Sequence, residues 1–130
     1  MTNIKAVYFL ILFTFTLAAC GQTKVARTIL GKSYAEQELK SALTGKSQHN
    51  VIDKKTVIIK DSLTAINVAE PILFSIYGKD IITKQRPYEI YFLDNYWLIT
   101  GTLPSGWKGG TFLIIIDSRD SKVIRITHGK

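Results

Sequence analysis

The chain has 130 residues, 46% of them hydrophobic, and a formal net charge of +7; that length suits one domain with a core of its own. The charges are scattered, with Lys54-Lys55 the only adjacent basic pair and no basic stripe interleaved with aromatics, which argues against a nucleic-acid-binding module. Cys20 is the single cysteine, so an intramolecular disulfide is excluded.

The first segment is an address. Lys5 precedes an apolar run from Ala6 to Ala19, interrupted only by Thr14 and Thr16. The run is shorter than the ~20 residues that cross a bilayer as a helix and fits the apolar region of a secretory signal peptide; a retained short membrane anchor is the alternative. Leu17-Ala-Ala-Cys20 follows directly and resembles the lipobox of bacterial lipoproteins, in which the thiol is lipidated and the leader is cut before the cysteine. An ordinary peptidase site beside a chance cysteine is the competing reading. Acyl chains on Cys20 would add about 0.8 kcal/mol per buried methylene, so two or three chains anchor firmly. The expectation is a leader over 1–19, lipid attachment at Cys20, and a protein held on the periplasmic side of the bacterial envelope. Loss of the leader would take one lysine and leave a charge of +6. Such a surface suits anionic headgroups or an acidic protein partner, and equally plain solubility.

Residues 20–32 lack periodicity and read as a tether. Residues 33–56 read as a short helix and loop. Ser33 and Glu36 have the spacing of a capping box, Leu39 and Leu43 lie four apart, and Gly45 is a stop signal. Thr56–Lys60 is a β-branched run that suggests a strand. The strongest helix signal is Asp61 to Gly78, with Asp61 or Ser62 as cap and Ala65, Ala69, Leu73 and Ile76 as an inner stripe. Pro71 inside it costs about 3 kcal/mol or a kink, which predicts a bend near Asn67 or two segments meeting there.

The period then changes to two. Tyr88–Leu93, Tyr96–Leu103, Thr111–Asp117 and Lys122–His128 read as four consecutive strands, with Asp94-Asn95 as the first turn. A helix on an antiparallel β-meander, an α+β domain over 57–130, is the predicted fold.

Reactive constellations are scarce. The glycine-rich stretch Gly101–Phe112 is followed by a β-run, whereas a phosphate-binding loop needs Lys-Ser/Thr and a helix. It reads as a hairpin connection in which Pro104 ends one ladder and Gly109-Gly110 admit the next. Trp107 has little core to enter there and is a candidate for recognition. His49 and His128 are far apart and no metal-ligand spacing occurs, so no metal or cofactor is expected. No serine sits in a nucleophile elbow. Glu89, Asp94 and Asp117 could form a carboxylate pair, but the two aspartates fit turns. Glu70 is expected to face solvent rather than the sheet. The strand alternation leaves the face of Trp97 open, with the core preferred.

The segments "AINVAEPILFSIYG", "KQRPYEI", "YWLITGTLP" and "GGTFLIIIDSRDSKVIRITHGK" resemble immunity proteins of the nuclear-transport-factor-two-like fold that are found beside polymorphic toxins such as Rhs-type effectors. The matching positions are Ala65, Ala69, Glu70, Tyr77 and Gly78; Gln85, Pro87 and Tyr88; Trp97, Gly101, Thr102 and Leu103; Gly109 and Gly110; and His128, Gly129 and Lys130. Arg86 stands where that family has lysine. The resemblance covers 57–130 and implies a cone-shaped fold with helices over the concave face of a curved sheet, and a non-catalytic protein that binds and blocks a cognate toxin, encoded nearby. Candidate contacts are Trp107, Tyr88, Arg86, Lys108, Trp97 and His128. Two alternatives are a small-ligand or isomerase-like site inside the cone, using Glu70, Tyr77 and Glu89, and a structural lipoprotein of the envelope.

Overall fold

The computed structural model describes residues 25–45 and 49–129; the expected leader over 1–19 and the expected lipid site at Cys20 lie outside them. The chain divides into two units with the break after Thr44.

The first unit contains α1, Gly31–Leu43, none of whose residues is buried. It starts two residues before the predicted Ser33, and the capping box does not form: Leu30 stands at the N-cap with no side-chain bond. Glu36 is engaged instead with Lys32 at 3.4 Å, one helical turn away. The stop is as read. The Thr44 hydroxyl donates to Lys40 O at 2.9 Å, and Gly45 takes the left-handed conformation at φ +69°.

The second unit is α+β. Helix α2, Ser62–Tyr77, is capped by Asp61, whose carboxylate accepts from Thr64 N at 2.8 Å and the Thr64 hydroxyl at 2.9 Å. The helix runs unbroken through Pro71, so the predicted division near Asn67 does not occur. Pro71 and Asn67 are both exposed. The carbonyl left without a donor therefore meets water, while Ala65, Ala69 and Leu73 are buried on the opposite side and hold the helix down. Gly78, at φ +89°, leads into α3, Lys79–Thr83, a short helix whose Ile82 is buried.

Four strands follow: β1 Glu89–Leu93, β2 Tyr96–Thr100, β3 Phe112–Asp117 and β4 Val123–His128. They form one antiparallel sheet in sequence order. Asp94 and Asn95 both have positive φ, as a two-residue hairpin turn requires. Trp97 pairs with Phe92 and Ile116, and Ile99 with Ile90 and Ile114, which stacks one face with large side chains. A register shift at Ile115/Ile116 marks a bulge against β4. Helix α2 lies over β2 and β3, and Phe112, Ile114 and Ile116 are fully buried beneath it.

Thr56–Lys60 is not a strand. The Ile58 and Ile59 amides both donate to the one carbonyl of Ser118, at 2.8 and 2.9 Å, a clamp rather than a ladder. Ile59 still enters the core, and its carbonyl accepts the Trp97 indole N–H at 2.9 Å.

Candidate functional site

The connection between α3 and β1 runs through Lys84, Gln85, Arg86, Pro87 and Tyr88, with a cis bond before Pro87. Its central member is Gln85, 5% exposed. Gln85 Oε1 accepts the Phe112 amide at 2.9 Å, and the Gln85 carbonyl accepts the Thr102 amide at 2.8 Å. Because Phe112 N must donate, the other end of the Gln85 amide is its NH₂, which lies 3.4 Å from Ile81 O and 3.1 Å from His128 Nε2. His128 Nε2 is therefore the acceptor, and the ring proton sits on Nδ1, which donates to Gly129 O at 2.9 Å. One buried amide thus ties α3, β3 and the end of β4 together.

On one side of this connection lies an open groove of about 770 Å³, lined by Leu63, Ile66, Asn67 and Glu70 of α2 and by Arg86, Pro87, Tyr88 and Ile90. Its polar end is built around a single oxygen. Glu70 Oε1 accepts from Arg86 Nε at 3.0 Å, from Arg86 Nη2, and from the Tyr88 hydroxyl at 2.8 Å. The Glu70 side chain is 14% exposed, so the expectation that it faces solvent is corrected: two donors across the groove draw it inward. Arg86, half-exposed, is held more firmly protonated than an ordinary guanidinium, by Glu70 above all. Burial pushes the Tyr88 hydroxyl up; Arg86 opposes this and Glu70 adds to it.

On the other side lies a recess of about 400 Å³ lined by Ile81 and Lys84 of the α3 region, Gln85, Leu103, Pro104, Trp107, Gly110 and His128. The loop that supplies Trp107 does connect β2 to β3. Its Trp107 amide donates to Pro104 O at 3.1 Å, and Gly106 at φ +82° completes that turn. Gly110 is dictated by contact, because a Cβ there would stand 1.9 Å from the Gly129 carbonyl carbon. The Trp107 side chain is 72% exposed, and Lys108 is exposed beside it.

Of the six contact candidates, Trp107 and His128 meet in the recess and Arg86 and Tyr88 meet in the groove, while Lys108 is exposed next to Trp107 in the chain and lines neither. Trp97 joins neither. It is 8% exposed, bonded through its indole to Ile59 O and packed on the Phe92 ring at 4.8 Å between centroids, so it is a core residue, as its strand reading preferred, and its place among the contact candidates is corrected. Asp117 is likewise structural: Arg119 engages both its oxygens, which lowers its carboxyl to about 2. Asp94 occupies the hairpin turn, Glu89 is exposed on β1, and the Tyr77 ring packs on His128 at 5.1 Å. Among the described residues no three His, Cys, Asp or Glu side chains converge as a metal site would need. Sequence reasoning missed Lys84 and Ile81 as lining residues and Gln85 as the organising one; the nearest signal was the Gln85-Arg86-Pro87-Tyr88 step itself.

A family model described as NTF2 fold immunity protein matches residues 64–130, which takes in every residue lining either cavity except Leu63. Two curated proteins of Escherichia coli (strain K12) are similar to the chain. "Uncharacterized protein YhhH" is 34% identical over 74 residues, 56% of this chain and 58% of that relative. "Uncharacterized protein YbbC" is 31% identical over 126 residues, 94% of this chain and 95% of that relative. The chain therefore spans little more than half the length of the first and nearly all of the second. No solved structure matches significantly.

Proposed function

The chain belongs to the NTF2 fold immunity protein family, and from that premise we propose that it is a lipid-anchored inhibitor that binds one cognate toxin and neutralises it without chemistry of its own. The family match over 64–130 is the observation that carries the reading, since immunity proteins act on a toxin partner. The surface is suited to the task. Trp107 offers a large, exposed, rigid side chain at the tip of a tied loop, the kind of anchor on which protein interfaces depend. The carboxylates inside the unit are already engaged: Glu70 by Arg86 and Tyr88, Asp117 by Arg119. Neither is left poised as a general base.

The anchor is proposed from Leu17-Ala-Ala-Cys20 and the apolar run before it. Lipid on Cys20 would hold the inhibitor on the periplasmic side of the envelope, where an incoming toxin passes or acts. The toxin is proposed to be encoded beside it. Cells expressing the neighbouring toxin gene should survive only when the full chain is present, the two proteins should purify as a complex, and the mature amino terminus should carry diacylglyceryl-Cys20. A chain that leaves killing unchanged and binds no neighbouring product would reject the inhibitor reading. An unmodified Cys20 would reject the anchor alone.

One observation favours a second reading. The groove holds a carboxylate only 14% exposed among apolar walls, a setting that small-ligand sites share. A ligand-binding role predicts a defined small molecule retained through purification and lost in Glu70→Ala. If purified chain carries none, the groove has no such role.

A further inference from the structure

We infer that the recess between α3, the β2–β3 loop and the end of β4 is the pocket that receives an acidic side chain of the partner protein. This rests on the inhibitor reading above and says which chemistry the partner must present there.

The argument is one of leftover groups. The floor is made by Gln85 and His128, and these satisfy each other. Both donors of the Gln85 amide are directed to Ile81 O and His128 Nε2, its oxygen takes the Phe112 amide, and the His128 ring is used at both nitrogens. What remains on the lining side chains is donor only. Lys84 is the one lining residue with a fixed charge, and among the described residues no carboxylate pairs with it; Asp80, one turn back on α3, does not. The Trp107 indole N–H likewise makes no hydrogen bond among the described residues, although the Trp107 backbone is tied to Pro104. Lys108 follows immediately and is exposed. The walls between these donors are apolar: Ile81, Leu103 and Pro104. An ammonium and an indole N–H over an apolar recess of about 400 Å³ fit a carboxylate carried on a short aliphatic stem, as Asp or Glu is, better than they fit a neutral or basic group. The net positive charge, +6 once the leader is lost, would favour the approach of such a partner.

A bilayer is the other anionic surface that a Trp-Lys pair could meet. The recess argues for the protein. Its volume of about 400 Å³ is bounded by residues of α3, the β2–β3 loop and the end of β4 and suits one inserted side chain, whereas a bilayer needs only an exposed Trp-Lys surface.

The test uses the full chain and the toxin it neutralises. Lys84→Glu and Trp107→Ala should each weaken the complex at least tenfold, and the Lys84→Glu loss should grow at low salt. Lys60→Glu, an exposed change of equal charge outside the recess, should weaken it less than threefold. Replacing the docked acidic residue of the toxin by lysine should restore binding to Lys84→Glu. Wild-type affinity in both Lys84→Glu and Trp107→Ala overturns the pocket while leaving the inhibitor reading intact. Failure of the wild-type chain to bind any toxin overturns both. Equal losses in Lys84→Glu and Lys60→Glu would reduce the effect to net charge and overturn the pocket. Quenching of Trp107 emission by brominated phosphatidylglycerol in vesicles carrying the full chain would place the recess on a membrane, and would also overturn it. Trp97, buried in the core, should not report in that measurement.

Discussion

The Gln85 side chain fills the space that a side chain on Gly101 would need. A Cβ at Gly101 would lie 2.3 Å from Gln85 Oε1 and 2.8 Å from Gln85 Cβ. Gly101→Ala must therefore displace an amide that satisfies the buried Phe112 N–H. The expected loss is about 1–3 kcal/mol, the range for overpacking and for orphaning a buried donor. Gln85→Ala should cost a similar amount for the second reason alone. Because the two changes break the same bond, the double variant should lose clearly less than their sum in urea unfolding. Strict additivity would mean that the glycine and the amide act independently.

The pairing of Gln85 with Gly101 shows where sequence reasoning stops. Strands β1 to β4 are legible because β-branched and aromatic residues fill short runs and because Asp94-Asn95 tolerates positive φ; side-chain burial alternates in β2 and most of β3. The strand ends are not. The β-forming run extends to Leu103, yet β2 stops at Thr100, where Gly101 meets Gln85 and the Thr102 amide turns to the Gln85 carbonyl. Helix α3 is not legible because its five residues carry too little periodicity. Thr56–Lys60 looked like a strand because β-branched residues suit burial as well as pairing, and Ile59 uses only the burial. The inward turn of Glu70 is hidden from local pattern because its partners, Arg86 and Tyr88, lie 16 and 18 residues further on. Trp107 could be read as exposed, but its neighbours Ile81, Lys84 and His128 come from segments that only the folded chain brings together.

Trp97→Phe tests the correction made to that residue. Phenylalanine keeps most of the apolar volume but has no N–H for Ile59 O, now bonded at 2.9 Å. A loss of about 1–3 kcal/mol is expected from the orphaned carbonyl and the residual void. Toxin affinity should be unchanged at a temperature where the variant is folded. A selective affinity loss with normal stability would return Trp97 to the interface.

His128 should be locked as the Nδ1–H tautomer. The Phe112 amide fixes which end of Gln85 donates, and that in turn makes His128 Nε2 an acceptor. Nitrogen-15 shifts of the imidazole in the neutral protein should show a protonated Nδ1 and a bare Nε2. Gln85→Glu replaces the donor by an acceptor and should move the proton toward Nε2. An Nε2–H tautomer in the wild type would mean that Gln85 does not hold the end of β4.

The Asp117–Arg119 pair sets a pH dependence whose sign is fixed. Arg119 donates to both oxygens of Asp117, with Nε at 2.8 Å and Nη2 at 2.6 Å, and its backbone amide adds a third bond at 2.9 Å. These hold the carboxyl at about 2, against an ordinary value of 3.8. A carboxyl whose folded value is depressed contributes stability that is fully present above its unfolded value. That contribution is lost as pH falls from near 4 toward 2, because the unfolded chain takes up the proton first. Wild-type stability should therefore drop across that window. Asp117→Asn, which cannot titrate, should lack this part of the drop while starting less stable at neutral pH, by on the order of 1 kcal/mol for a bond network at the rim of the core. Urea midpoints measured from pH 7 to pH 2.5 should converge for the two proteins on the acid side. Parallel curves over the whole range would show that the pair contributes nothing to the difference between folded and unfolded chains.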